Sequence, residues 1–432
     1  MNSTFISLTV PNYRRYFIGC LSGNIGNWMS VTAKSWLVLV ELTGGSAITL
    51  GWLTTVMFLP QFVLQPIGGV MADRFPKRNI AIVTQCLLCL SATTLSLLVL
   101  TGHIQLWIVF ALALFDGTVG AFDGPARQSF VSELVPASLL PNAIGLNSSS
   151  WNAARMFGPA IAGVLIAAFG TGHAFAINAA SFLLLIFMLT RMKPKLFYNA
   201  KAPDGPPAPK KRSGLLDGLR YVLARPQLTL LFFIAFMLGT FGFNYSITNT
   251  LMATAVFHRG AGEYGLLGSI MGIGSLTGAL WSARRDLPRI RFVFVFLAGF
   301  SVSLILSALS PNFIFFALTM IPIGLCSVSV MVGANSMIQI SIPQDVRGRV
   351  MALWGIASMG LTPVVSPALG WVGDYLGARA TVWVGAIAIT VTFVAVAWYL
   401  FGKRQLRVHH TRGFHFGVEY PGLGYPGPEP TP

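Results

Sequence analysis

Gly68-Gly69-Val70-Met71-Ala72-Asp73-Arg74-Phe75-Pro76-Lys77-Arg78 closes a long apolar run with two small residues, one acid and a cluster of bases. Lys and Arg are costly in hydrocarbon and collect on the inner side of short loops, so this stretch reads as the cytoplasmic end of a membrane helix. Composition agrees, because 54% of the residues are hydrophobic and only 10% are charged. An ordinary soluble protein carries about a quarter charged residues. At 432 residues the chain has room for roughly twelve spans of about 20 residues with short connections. The expectation is one polytopic, all-α membrane unit, not an enzyme with a soluble catalytic domain.

The apolar runs place spans near 16–40, 47–71, 79–101, 104–124, 142–169, 173–192, 227–251, 264–283, 290–309, 312–336, 349–374 and 379–402. A net charge of +16 suits either a nucleic-acid binder or an oriented membrane protein, and the positions of the bases decide between them. With the N-terminus inside, all of the 29 Lys and Arg but Lys34, Arg155, Arg259 and Arg379 fall on the cytoplasmic side. This bias places both termini in the cytoplasm, and no nucleic-acid partner is expected. No secretory leader is evident in residues 1–16. Cys20, Cys86, Cys89 and Cys326 all fall in spans, and the lone Cys86-x-x-Cys89 pair lacks a second ligand pair, so no metal is expected. No cofactor is expected either, since a phosphate-binding GxxxxGK[ST] run is absent.

Between Lys193 and Arg225 hydropathy collapses into a proline-rich, basic stretch. The reading is a first six-helix bundle over 1–192, a cytoplasmic linker over 193–226, a second bundle over 227–402, and a disordered cytoplasmic tail over 403–432. Within the linker, Leu215, Leu216, Leu219 and Val222 recur at helical spacing, which suits a short amphipathic helix on the inner leaflet. The halves match faintly: Gly69 and Gly278 near the end of a second span, and Gly158-Pro159 and Ser366-Pro367 in a fifth span, lie at nearly one offset. Parallel repeats of this kind place a substrate site near the midplane between halves.

The glycine–acid–base loop resembles the motif joining the second and third helices of the major facilitator superfamily, at Gly69, Asp73, Arg74, Lys77 and Arg78. Asn12-Tyr13-Arg14-Arg15-Tyr16, Gly26-Asn27-Trp28, Gly124-Pro125-Ala126-Arg127-Gln128 and Gly214-Leu215-Leu216-Asp217-Gly218-Leu219-Arg220-Tyr221 resemble the enterobactin and macrolide exporter group within it. That resemblance, over about residues 12–402, implies alternating access and proton-driven export of a small amphiphilic molecule such as a drug or siderophore. An uptake symporter and a transport-silent receptor are the alternatives. It further implies a monomer in the lipid bilayer of a bacterial cytoplasmic (inner) membrane, with a small-molecule substrate and protons as partners. Two positions depart from the group: Asp116, four residues before Gly120, stands where many relatives carry arginine, and Asn27 stands where an acid is common.

Asp116 lies about 18 Å from the outer end of its span, near the midplane, where an acid must face the interior, take a proton or pair with a base. Arg155, at similar depth on the next span, is the expected partner, and the two are read either as a structural pair or as a proton or substrate site. Arg155 precedes Gly158-Pro159 and Gly163, a signature resembling that of export-type facilitators, where a bend or a tight helix contact is expected. Asn24, Asn27, Trp28 and Lys34 share one face of the first span, and Lys34 is expected either to pair with Glu41 or to sit inside the cavity. Gln61, Gln65, Asn178, Asn244, Asn249 and Asn335 complete the cavity candidates. For the inner gate, Asp73 is expected at the helix start near Arg349 and Arg74 on Asp123.

The orientation is testable: cysteines placed at Ala202 and Gly417 should resist an impermeant thiol reagent in intact cells and react once the membrane is permeabilised. Labelling from outside would overturn it.

Overall fold

The structure, a computed structural model, describes residues 3–198, 215–283, 290–403, 407–411 and 415–419. The proline-rich part of the linker lies outside the described residues. The first half comprises α1 (Pro11–Trp36, continued by a π-helical turn Leu37–Leu42), α2 (Ala47–Arg74), α3 (Lys77–Leu100), α4 (Leu106–Leu134), α5 (Leu140–Phe169) and α6 (Thr171–Thr190). The linker carries α7 (Leu215–Leu223). The second half opens with α8 (Pro226–Met237) and α9 (Tyr245–Leu251), which π-helical turns join into one segment over Pro226–Val256. It continues through α10 (Ala261–Ala283), α11 (Ile290–Ala308), α12 (Phe313–Ser341), α13 (Gln344–Met359), α14 (Thr362–Leu376) and α15 (Ala378–Ala397).

Among the described residues, eleven helical segments are long and apolar enough to cross a membrane, so the chain is a multi-pass membrane protein. α1 is not one of the eleven because its own sequence is polar, with Asn12, Arg14, Arg15, Asn24, Asn27 and Lys34 along it. Pro60, Pro66, Pro125, Pro159, Pro322 and Pro367 all lie inside helices. Neighbouring helices re-satisfy the carbonyls that such prolines free. Large apolar side chains such as Trp107, Val164, Ile314 and Trp398 are exposed on the outer surface, as a lipid-facing shell requires.

The repeat inferred from sequence has a structural counterpart. Gly170 joins α5 to α6 at φ 83° and Gly377 joins α14 to α15 at φ 89°, so both halves make the same turn with a residue that tolerates positive φ. The Gly69–Gly278 match shifts by one residue. Gly68, not Gly69, is the close-contact glycine, where an added Cβ would lie 2.1 Å from the Ala121 carbonyl oxygen. At Gly278 it would lie 2.4 Å from the Leu325 carbonyl oxygen, whereas Gly69 has open space around it.

The two halves meet along two antiparallel crossings. On α2 against α14, a Cβ at Gly51 would approach the Ser366 oxygen to 2.4 Å, and one at Gly370 would approach the Ala47 oxygen to 2.3 Å. On α5 against α10, a Cβ at Gly265 would sit 2.4 Å from the Pro159 oxygen, and one at Gly163 2.7 Å from the Ala261 oxygen. The expectation at Gly158-Pro159-Gly163 is therefore met as a tight contact in a helix that stays continuous through Pro159. All of these contacts lie toward one end of the molecule, where Leu50, Leu53 and Ile166 share a core with Leu251, Ala261 and Leu369. At the other end, Asp73, Arg74, Ile144 and Ile356 are exposed.

α7 packs against the second half: a Cβ at Gly218 would meet Arg349 and Leu353 of α13, and Val222 is buried. The expected amphipathic helix is present, with Leu219 and Leu223 exposed. In the tail, expected to be disordered, β1 (Arg407–Thr411) and β2 (His415–Glu419) pair as an antiparallel hairpin, a unit marginal by itself in water.

Backbone contacts this close leave no room for a methyl group. Gly265→Ala should lower the stability of the purified protein by about 1–3 kcal/mol, read as a drop in Tm, while Gly69→Ala should leave Tm unchanged. Equal Tm values for the two variants would contradict the packing.

Candidate functional site

A cavity of about 460 Å³ opens within the first half, lined by α1, α2, α3, α4, α5 and α6. Of the residues proposed from sequence, Asn24, Asn27, Lys34, Gln61, Asp116, Asp123 and Asn178 line it. Trp28 stands behind the wall, edge-on to Trp151 with ring centroids 5.8 Å apart. Gln65 is exposed away from the cavity. Asn335 accepts from Gln339 on its own helix, and Asn244 donates to the Thr240 oxygen at 2.9 Å while accepting from Ser366 Oγ at 3.3 Å. These two asparagines serve helix contacts in the second half. Asn249 is buried beside Tyr245 in a much smaller cleft.

The charged pairs differ from the expectation. Asp116 does not meet Arg155; its Oδ2 accepts directly from Nζ of Lys34, which is buried. The reason is helix rotation: α4 turns Asp116 toward α1, while Arg155 on α5 has Tyr245 of the second half as its electrostatic neighbour. Lys34 accordingly sits inside, and Glu41 instead accepts from Thr171 Oγ1 at 2.9 Å. Asp116 keeps one buried oxygen, Oδ1, with no partner among the protein groups.

The gate residues are also rearranged. Asp123 does not engage Arg74: its Oδ1 accepts from Thr84 Oγ1 at 2.8 Å and Gln85 Nε2 at 2.9 Å, and Arg127 Nε lies 2.9 Å from its Oδ2. Buried in this polar nest, the carboxylate already has its charge partner in Arg127. Arg127 also donates to Asn24 Oδ1 at 3.2 Å, and Tyr16 donates to the Arg127 carbonyl at 2.8 Å. The Asp123–Arg127 spacing of four residues was the overlooked signal: the span read from hydropathy ends at 124, but α4 runs on to Leu134, so the opposite charges share a helix face. Asp73 and Arg74 are exposed, and among the described residues neither bonds to α13. Lys77 pairs with Glu133, and Arg78 donates to the Leu189 and Thr190 carbonyls at 2.9 and 3.1 Å, so these bases brace the first half.

The capping expected of Asp73 occurs at the opposite end with other partners. Asp374, near the end of α14, accepts from the backbone N–H of Ala47 at 2.7 Å and of Ile48 at 3.0 Å, the first residues of α2. A carboxylate there satisfies orphan donors and complements the helix dipole. Thr55 donates to the Pro363 carbonyl farther down the same crossing, and Ser35 Oγ meets Ser246 Oγ at 2.8 Å. The cavity is thus locked at the Asp374 end and accessible from the Arg74 end.

Residues 2–409 match the family model described as transmembrane secretion effector. The chain belongs to this family of the major facilitator superfamily, whose members are transporters and not enzymes. It is 25% identical to the multidrug efflux pump Tap of Mycolicibacterium fortuitum, over 84% of this chain and 89% of that one. It is 24% identical to the enterobactin exporter EntS of Shigella boydii, over 87% and 86%. A match to the uncharacterised transporter YfiS of Bacillus subtilis, at 27% identity, spans about half of each chain (48%). A solved POT family transporter in complex with 5-aminolevulinic acid shares the fold at TM-score 0.70 and 13% identity, over 89% of this chain and 95% of that one.

Removing the Asp374 cap tests the lock. Hydrogen bonds to a charged group contribute about 1.5–3 kcal/mol, so Asp374→Ala should raise the labelling rate of a cysteine placed at Thr55 by roughly 10- to 100-fold. An unchanged rate would remove Asp374 from the closure.

Proposed function

We propose that this transporter exports a small amphiphilic molecule, such as a drug or siderophore, from the cytoplasm in exchange for protons, by alternating access across twelve spans with α1 as the twelfth. The observation that carries this reading is the Lys34–Asp116 pair on the wall of a polar cavity, with Asp116 Oδ1 buried and unpartnered. A carboxylate in the membrane interior can be neutralised by a base or by a proton, and an unpartnered oxygen leaves the second route open. Protonation of Asp116 would release Lys34, whose bare charge then disfavours the closed wall until the proton leaves. Alternation between the neutral ion pair and the protonated, singly positive arrangement links proton movement to the opening and closing of the halves.

The orientation follows from the basic loops. The accessible end carries Arg74, Lys77 and Arg78, and short loops rich in Lys and Arg face the cytoplasm. The arrangement is then open to the cytoplasm and closed to the outside at Asp374. The two named exporter relatives support the direction. In the bacterial inner membrane, one proton moving down about 100 mV supplies about 2.3 kcal/mol, a ceiling of roughly 50-fold accumulation for an uncharged substrate.

In inside-out membrane vesicles with an acidified lumen, at least one of a panel of amphiphilic dyes should accumulate, and collapse of the gradient should release it. Asp116→Asn should abolish the accumulation while dye binding survives. Lys34→Met combined with Asp116→Asn should fold and still fail to pump. Full gradient-driven transport by that folded double variant would exclude the pair from coupling.

A further inference from the structure

Arg155 is a cation in the membrane interior without an anion to meet. It lies on α5 one turn beyond Trp151 and Asn152, on the same helix face, and both of these line the cavity. It is half-buried, Tyr245 is its electrostatic neighbour, and among the described residues it takes part in no ion pair. The two acids nearest in depth are engaged elsewhere, Asp116 by Lys34 and Asp123 by Arg127.

Two further donors flank the same stretch of α5. The Tyr245 hydroxyl is buried beside Ser327, whose own hydroxyl donates to the Gly324 carbonyl, and it makes no hydrogen bond of good geometry. The Trp28 indole N–H is likewise buried and unpartnered. Trp28 reaches this stretch from α1, packing on Trp151 at one side and on Gly158 at the other, where an added Cβ would lie 2.6 Å from Trp28 Cβ. A guanidinium, a hydroxyl and an indole N–H therefore border Trp151–Gly158, and among the described residues no carboxylate meets any of them. An uncompensated arginine and unpaired buried donors are each expensive in this medium.

We propose that the stretch of α5 just beyond the cavity lining, toward its closed end, binds the anionic group of an amphiphilic organic acid that enters past Trp151, with Arg155 as its charge partner, Tyr245 and Trp28 as hydrogen-bond donors, and the indole rings of Trp28 and Trp151 against its apolar body. This rests on the reading of the cavity as a transport site and names the substrate class for it. Arginine presents a planar fork that matches a carboxylate with two parallel bonds, and its charge does not depend on pH. Because Lys34 and Asp116 neutralise one another, Arg155 gives this end of the cavity a net positive charge that selects anions and repels cations.

The test uses the full chain in nanodiscs of zwitterionic lipid at pH 7.5, with 1-naphthoate and its uncharged isostere 1-naphthamide as probes and tryptophan quenching as the readout. Naphthoate should bind at least about tenfold more tightly than the amide. Arg155→Gln should equalise the two, Arg155→Lys should keep part of the preference, and Tyr245→Phe should weaken naphthoate binding by several-fold while leaving the amide unchanged. If Arg155→Gln does not fold, Arg155→Lys and Tyr245→Phe decide alone. Equal affinities in the unmodified chain, no saturable naphthoate binding, or a preference untouched by these changes would each overturn the proposal. Gradient-driven accumulation of uncharged dyes is read separately: its presence without the acid preference sinks the anion site alone, and its absence with an Arg155-dependent preference sinks only the export reading.

Discussion

Backbone-to-backbone contact between antiparallel helices is the constraint from which the rest of this structure follows. Inside a bilayer, apolar burial offers little gain between helices, because lipid tails are as apolar as leucine. Close approach through small residues must supply the association instead. Gly51, Gly370, Gly163 and Gly265 provide it at two crossings related by the internal repeat, each within a few ångström of a backbone oxygen on the partner helix. With α2 on α14 and α5 on α10 held at one end, the two halves can part only at the other, and the cavity inherits its direction from that geometry.

Charge then fills what packing leaves. At one end of the α2–α14 crossing a carboxylate caps the N-terminus of the facing helix, which the antiparallel run of the two helices allows. Asp374 occupies the start of α2 here. Asp73 sits at the opposite end of α2 and is exposed. Inside the first half, Lys34–Asp116 and Asp123–Arg127 are two separate solutions to the cost of ions in hydrocarbon, one on the cavity wall and one in a nest of Thr84, Gln85, Asn24 and Tyr16.

The functional reading grows from the contrast between those satisfied charges and the unsatisfied ones. Asp123 has both carboxylate oxygens engaged, one by Thr84 and Gln85 and the other by the Arg127 guanidinium. A working site keeps some hydrogen-bond capacity open. Asp116 Oδ1 on the cavity wall and Trp28 Nε1 behind it remain without partners, as does Tyr245 Oη beside the smaller cleft, and Arg155 meets no acid among the described residues.

Much of this was legible in the chain alone. Hydropathy, the basic loop at Gly69–Arg78 and the Gly-Pro and Ser-Pro landmarks determined a polytopic helical protein in two related halves, because those signals depend only on local composition and order along one axis. Asn24, Asn27, Lys34 and Gln61 were recognisable as cavity residues for the same reason: a polar group in a span must face inward. What only the tertiary structure decided was who meets whom. Depth along the membrane can be counted from residue numbers, and that count sets Asp116 and Arg155 at one level. Their azimuth cannot be counted, since it depends on how each helix is rotated by its packing, and that rotation gave Asp116 to Lys34, Asp123 to Arg127, and left Arg155 facing Tyr245 across the seam.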